Sequence, residues 1–353
     1  GKTVMTSGNT PYNFFLLWLL SQSGISPSDV KLVYLPDGPA AAEAFKKDKT
    51  IDAWVTWAPF LTDVVKKESA TYVADARLLI SSRDANQLIA DVYLSRLDFS
   101  REHPEILAGF SAAMMEAAAR FAQNPEPAYQ HLASFFGLQG GAAEARAMVD
   151  NVAIANWTES RMFFDIDNPI NAAKIFFMSQ EYQKAVGALP ADVSYEAETV
   201  INTKFLEAAG ADGRWAQEPN RIQNSFNKNA SFDIADLESQ RVVLTDDVKI
   251  FFEAQRVDFD LSAATPEMKE NQRYLARIAE QMNILGTTVV KLVGHLDTSK
   301  VEEFKKQGNQ AFIEASAQAK LVSKKRAEYV KKVLVSDYGC DPERIVTEGK
   351  GWE

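Results

Sequence analysis

From its second to its eleventh residue the chain reads Lys2-Thr3-Val4-Met5-Thr6-Ser7-Gly8-Asn9-Thr10-Pro11. Taking Lys2–Ser7 as a short strand leaves Asn9-Thr10-Pro11 as an N-cap followed by proline in the first helical turn. Tyr12–Gln22 carries enough apolar residues for a helix, and Gly24 ends it. Downstream, Val30–Leu35 reads as a second strand, Pro39–Lys47 as a second helix and Ile51–Thr56 as a third strand. This βαβαβ series predicts a mainly parallel sheet, because each parallel return needs a crossover. Leu78–Ile80 and Ile89–Leu94 are further short strand candidates.

From Glu102 to Ala133 the apolar spacing becomes helical, broken at Asn124-Pro125, and it continues through Ala142–Asn156 and Pro169–Val186. Residues 1–209 therefore read as an α/β region with an α-rich end. Residues 210–239 are amide-rich and without clear period, which reads as a linker. The last part, 240–353, gives strand Val248–Phe252, helix Pro266–Met282, strand Val289–Gly294, a long helix from about Phe312 to Ser336, and strand Ile345–Glu348. That is a second α/β unit.

Composition narrows the function classes. The chain has 353 residues, 46% of them hydrophobic and 24% charged, as in globular proteins. Its longest apolar run, Phe14–Leu20, is seven residues, far short of the ~20 that a membrane-spanning helix needs. The net charge is −10, which argues against nucleic acid as a partner. Residues 1–210 hold 17 basic and 25 acidic side chains, net −8, and residues 211–353 hold 21 and 23, net −2. The later part also gathers Lys300, Lys305, Lys306, Lys320, Lys324, Lys325, Arg326, Lys331 and Lys332. A single cysteine, Cys340, allows no internal disulfide.

Three ordered motifs mark the later part: Gly294-His295-Leu296-Asp297 after a strand, Ser323-Lys324-Lys325-Arg326-Ala327 on a helix, and Arg344-Ile345 with Gly349-Lys350-Gly351-Trp352 at the end. Together they resemble the OmpA-like peptidoglycan-binding domain. The resemblance implies that Asp297 and Arg326 hold the diaminopimelate of a peptide stem. The chemistry suits a zwitterion, since a carboxylate takes the ammonium and a guanidinium takes the carboxylate with two parallel hydrogen bonds. The alternative is that Asp297 and Arg326 form only a structural ion pair. Leu296 and Ala319 stand where that family has threonine and asparagine, and Thr298–Lys320 is longer than usual. His295 reads as a turn residue.

A second set of motifs spans the first part: Gly1-Lys2-Thr3-Val4, Ser7-Gly8-Asn9-Thr10, Asp29-Val30-Lys31-Leu32-Val33, Ile51-Asp52-Ala53-Trp54 and Trp57-Ala58-Pro59-Phe60, then Ile89-Ala90-Asp91-Val92 and Asp98-Phe99 with His103-Pro104-Glu105. This order resembles the nitrate/taurine/sulfonate/thiamine-precursor class of periplasmic substrate-binding proteins of ABC transporters, which implies a periplasmic-binding-protein-like (type II) fold. In that class the corresponding turns face a cleft between two lobes. Ser7, Asn9, Thr10, Trp57 and Pro59 are therefore the candidate ligand residues. Hydroxyls and free amides at a helix N-terminus suit an anionic group, and Trp57 with Pro59 offers an apolar wall. Ala58 stands where glutamate is common in that class. The alternative is that Asn9-Thr10-Pro11 only caps and Trp54 and Trp57 only pack. The resemblance also implies a first-lobe segment ahead of Gly1, so the sequence reads as truncated or as a one-lobe form.

No signature of catalysis accompanies these motifs. His103, His131 and His295 are the three histidines, and HExxH, CxxC, G-x-S-x-G and P-loop patterns do not occur. The expectation is a non-enzymatic protein of the periplasm, without cofactor or metal. Peptidoglycan would be its anchor, a small anionic solute its ligand, and an inner-membrane permease or envelope component its partner. The main alternative is a structural scaffold of an envelope assembly whose substrate-binding-like region no longer takes a ligand. A peptidoglycan hydrolase is a third reading.

Overall fold

The computed structural model describes residues 1–36, 38–85, 87–168, 170–221, 242, 244–245, 247–286 and 288–352. The chain forms two compact units, Gly1–Ala85 with Phe226–Glu353, and Asn86–Ser225. Residues 222–239 of the expected linker lie outside the described residues.

In the first unit, β1 (Thr3–Thr6) is central and buried along its whole length. It pairs in parallel with β2 (Lys31–Tyr34) and β3 (Ala53–Trp54), giving the order β2-β1-β3 with Val4 opposite Leu32 and Ala53. The crossover from β1 to β2 is α1 (Pro11–Gln22), and that from β2 to β3 is α2 (Pro39–Lys47). Phe14, Phe15, Leu16, Leu17, Trp18 and Leu20 of α1 are all buried, so this helix has almost no polar face and sits within packing on most sides. Val4, Leu16 and Leu20 form a core with Val30, Leu32, Ala53 and Val55 against them. The third strand is shorter than the sequence suggests. Beside it the Asp52 carboxylate accepts the Thr3 amide at 2.8 Å and the Lys2 ammonium at 2.7 Å. The short α3 (Phe60–Asp63) follows.

The Leu78–Ile80 and Ile89–Leu94 segments are not strands. A strand needs a neighbour for its ladder, and among the described residues neither has one. Tyr93 instead packs edge-on against Phe110 at 5.0 Å. The second unit is helical: α4 (Leu97–Glu102), α5 (Pro104–Gln123), α6 (Glu126–Phe136), α7 (Gly141–Val149), α8 (Trp157–Phe164), α9 (Ala172–Ala185) and α10 (Lys204–Ala209). Asn124-Pro125 separates α5 from α6 as expected, since proline cannot continue a helix. Trp157, Ala209 and Trp215 form a core here with Met115, Ala119 and Leu206. A reciprocal capping box starts α8, with the Asn156 side chain accepting from the Glu159 amide and the Glu159 carboxylate accepting from the Asn156 amide.

The remainder of the first unit holds α11 (Pro266–Ile284), β4 (Val290–His295), α12 (Val301–Lys306), α13 (Asn309–Tyr338) and β5 (Ile345–Gly351). Strands β4 and β5 pair in parallel, with Gly294 opposite Gly349. The expected βαβαβ set is thus reduced, because Val248–Phe252 is not a strand. Its Phe251 amide and carbonyl are taken by the fully buried Asn271 side chain at 2.8 and 2.9 Å, which occupies the groups a ladder would use. Leu275, Ile278, Met282, Val330, Leu334 and Ile345 close the core between α11, α13 and β5. The buried Arg344 guanidinium donates to the carbonyls of Thr288, Met282 and Leu285 at 2.9–3.0 Å, and so ties up the end of α11.

Candidate functional site

Two groups of sequence-derived residues can be placed. The first begins where β1 ends. Thr10 is the N-cap of α1: its hydroxyl accepts from the Asn13 amide at 3.2 Å and donates to the Ser7 carbonyl at 2.7 Å. Asn9 takes a left-handed backbone, φ 57°, which turns the chain from strand to helix. Trp57 and Pro59 follow β3, with a cis bond between Ala58 and Pro59. Trp57 is exposed and stands edge-on to Phe60 at 5.9 Å. Because β1 and β3 are parallel, the turn Ser7–Thr10 and the Trp57–Pro59 segment leave the sheet at the same carboxyl edge, where ligands of open α/β sheets bind. The topology therefore brings all five candidates to one edge.

Two further residues belong beside them. Thr6 Oγ1 and Asn13 Oδ1 are buried, 1% exposed in both residues, and have no hydrogen-bond partner among the described residues. Buried polar atoms without partners are costly, and Trp18 Nε1 in α1 is another. The only sequence signal for Thr6 or Asn13 is a polar residue set into an apolar strand or helix. Tyr34, which ends β2, faces the Gly8 position, and burial raises its hydroxyl above the usual tyrosine range.

The second group lies after β4 and on α13. Asp297 is exposed, and its carboxylate accepts the Ser299 amide at 2.8 Å. Hydrogen bonds from Ser299, and more weakly the Lys249 charge, hold it below the usual aspartate range. Arg326 is half-buried. It donates to the carbonyls of Arg256 at 3.0 Å and Glu253 at 3.4 Å, and its guanidinium lies 4.7 Å above the Phe252 ring. Burial lowers it from the ordinary arginine value. Arg326 spends its contacts on backbone and ring, and among the described residues no ion pair joins it to Asp297. Lys249 acts on Asp297, and Phe252 and Arg256 contact Arg326; the sequence marks them only as strand and loop.

The three motifs of this part meet physically. Gly294 in β4 lies so close to α13 that a Cβ there would come within 2.2 Å of the Ser323 carbonyl oxygen. A Cβ on Gly349 in β5 would come within 2.4 Å of the Lys324 nitrogen. The fully buried Ser323 hydroxyl accepts the Gly351 amide at 2.9 Å and donates to the Lys320 carbonyl at 3.0 Å. Glycine and serine are thus the residues that let strand and helix backbones touch.

Residues 1–128 match the family model described as NMT1/THI5 like. Among curated proteins the chain is similar to the taurine-binding periplasmic protein of Escherichia coli (strain K12), 24% identical over 212 residues, 59% of this chain and 62% of that protein. The chain thus spans less than two thirds of the length of this relative. Among the described residues no helix is long and apolar enough to cross a membrane, and no group of three or more His, Cys, Asp or Glu could hold a metal ion.

Proposed function

We propose that the chain is a non-enzymatic protein of the cell envelope, periplasmic, with a solute-binding or sensing region over 1–209 and an OmpA-like domain over 240–353 that anchors it non-covalently to peptidoglycan. The solute is a small anion, taken at the carboxyl edge of β1 and β3 by Ser7, Asn9 and Thr10 beside Trp57 and Pro59. An inner-membrane permease or envelope component is its partner. The likeness to a taurine-binding protein supports the first half of this reading. The observation that carries the second half is the meeting of the Gly294, Ser323 and Gly349–Gly351 motifs at one seam, which leaves Asp297 and Arg326 on neighbouring elements. There they take the ammonium and carboxylate of diaminopimelate, with Arg326 exchanging its carbonyl partners for the carboxylate.

Retention on purified sacculi tests the anchor. The wild-type chain is expected to sediment with sacculi, and an Asp297→Ala/Arg326→Ala variant of unchanged thermal midpoint is expected to stay in the supernatant. Equal retention of both sinks the assignment. One observation favours the scaffold reading of the first region: the Thr10 hydroxyl is engaged on both sides, by Ser7 and Asn13. A thermal-shift series with taurine, nitrate, sulfonates and pyrimidine precursors separates the two, since a uniform absence of shift supports the scaffold.

A further inference from the structure

The segment Thr298–Lys320 is the part of the C-terminal region least accounted for by the seam and by the Asp297–Arg326 pair. It carries α12 and the first turns of α13, and with the end of β5 it walls a hollow of about 460 Å³. That volume falls within the ~300–1,000 Å³ usual for small-molecule sites. One wall is aromatic. Trp352 stacks with Phe304 at 5.6 Å and with Phe312 at 6.3 Å, and Trp352 and Phe312 both face the hollow. Three lysines, Lys305, Lys320 and Lys350, line the same space with the hydroxyls of Thr298 and Ser316.

Charge and shape point the same way. Lys305 pairs with Glu302 at 2.7 Å, and Lys291 pairs with Glu348 at 2.7 Å. Among the described residues that line the hollow there are three ammonium groups, Lys305, Lys320 and Lys350, and no carboxylate. Ammonium groups gathered around an aromatic wall repel one another, and an anion relieves that repulsion. The wall itself offers flat apolar area to a ring. A bare inorganic ion would use the lysines and leave the aromatic wall unused. A neutral ring would do the opposite.

We infer that the hollow bounded by Lys305, Phe312, Lys320, Lys350 and Trp352 is a second ligand site, which takes a six-membered ring bearing a carboxylate or phosphate. The ring lies against the Phe312–Trp352 wall, and the anionic group is held by the lysines and the Thr298 and Ser316 hydroxyls. Neither Asp297 nor Arg326 lines this site, and it stands whether or not that pair binds diaminopimelate. Two sources share the chemistry: an acidic amino sugar of a glycan, and an aryl or sugar phosphate in solution.

The test uses the whole chain labelled with 5-fluorotryptophan. It has six tryptophans, and the resonance missing in Trp352→Phe identifies the reporter. The probes are N-acetylmuramic acid and phenyl phosphate, with N-acetylglucosamine and phenol as neutral counterparts and inorganic phosphate as the anion alone. At least one acidic ring is expected to shift the Trp352 resonance and to bind at least about tenfold more tightly than its neutral counterpart and than inorganic phosphate, a difference of about 1.4 kcal/mol. A Lys320→Gln/Lys350→Gln variant with an unchanged urea midpoint is expected to lose that advantage. Which acidic ring responds tells the glycan source from the soluble one. Neutral and acidic rings binding alike, inorganic phosphate matching the acidic rings, an unaffected lysine variant, or silence of the Trp352 resonance to every probe overturns the site. Sacculus retention of the Asp297→Ala/Arg326→Ala variant reports the other pair, so the two readings fail separately.

Discussion

Arg344 carries three carbonyls, Met282 and Leu285 at the end of α11 and Thr288 just after it, on one guanidinium, at a position only 7% exposed. Replacing it with alanine takes the guanidinium from the Thr288 and Met282 carbonyls, while the Leu285 carbonyl keeps the Thr288 amide and hydroxyl, and the expected loss is about 3 kcal/mol in urea denaturation. Lysine is expected to recover only part of it, because a single ammonium cannot copy the fork. Glu159 is a second such residue. Burial would raise its pKa, but the Arg221 guanidinium and the amides of Asn156 and Arg221 outweigh that and bring it below the ordinary glutamate value. The sign follows directly. A carboxylate whose folded pKa is depressed contributes stability above its unfolded pKa of about 4.3 and loses it as pH falls through the lower folded value. Glu159→Gln is therefore expected to be less stable than wild type at neutral pH, with the gap closing in acid below that range. A gap in urea midpoints that stays constant with pH would show that the charge is not what matters. At this scale the sequence reads well where a side chain acts on its own neighbours, as Thr10 does in capping, but Asn156, read as the end of a helix over Ala142–Asn156, is the N-cap of the next one. The sequence is silent on Asn271 and Arg344, whose partners are distant backbone groups, and on Thr6 and Asn13, whose burial comes from packing.

Among the elements, the seam of β4, α13 and β5 tolerates the least change. Gly294→Ala sets a methyl against the Ser323 carbonyl at a separation no Cβ accepts. The expected result is a loss of about 2–3 kcal/mol or more, typical of overpacking, measured by thermal or urea unfolding, with weakened protection of the β5 amides in hydrogen exchange. An alanine there that left stability unchanged would mean that the strand and helix do not press together at this point. Helices with a clear start signal are legible to within a few residues: α2 falls on Pro39–Lys47 as read, and α11 begins at Pro266, since proline and a Thr or Gly cap mark the start; the short α8, α10 and α12 are not. Strands are less so. A short apolar run such as Val248–Phe252 or Ile89–Leu94 becomes a strand only if a neighbour supplies a ladder, and that neighbour is not encoded in the run itself.

For the whole molecule, the core that gathers Phe259, Leu275, Ile278, Met282, Val330, Leu334 and Ile345 draws every member from residues 240–353. A fragment of that span is expected to unfold cooperatively on its own, with dispersed amide resonances and a single urea transition. A broad transition with collapsed dispersion would show that the core depends on the rest of the chain. The first region differs, because its sheet has three strands and one of them is two residues long. The order of motifs along the chain is readable from sequence, and so is the parallel character of the first sheet. The joining of Gly1–Ala85 and Phe226–Glu353 into one compact unit is not. Nothing local in either stretch announces it.

The segment from Thr298 to about Gln318 hangs between two fixed points, Gly294 pressed on Ser323 and the Gly351 amide held by the Ser323 hydroxyl. Beyond the stacking of its Phe304 and Phe312 on Trp352, neither of these two anchors lies within the segment itself. Loops of other composition grafted there would change which ring the hollow accepts while the scaffold beneath kept its geometry, which makes this segment the natural place to re-engineer specificity.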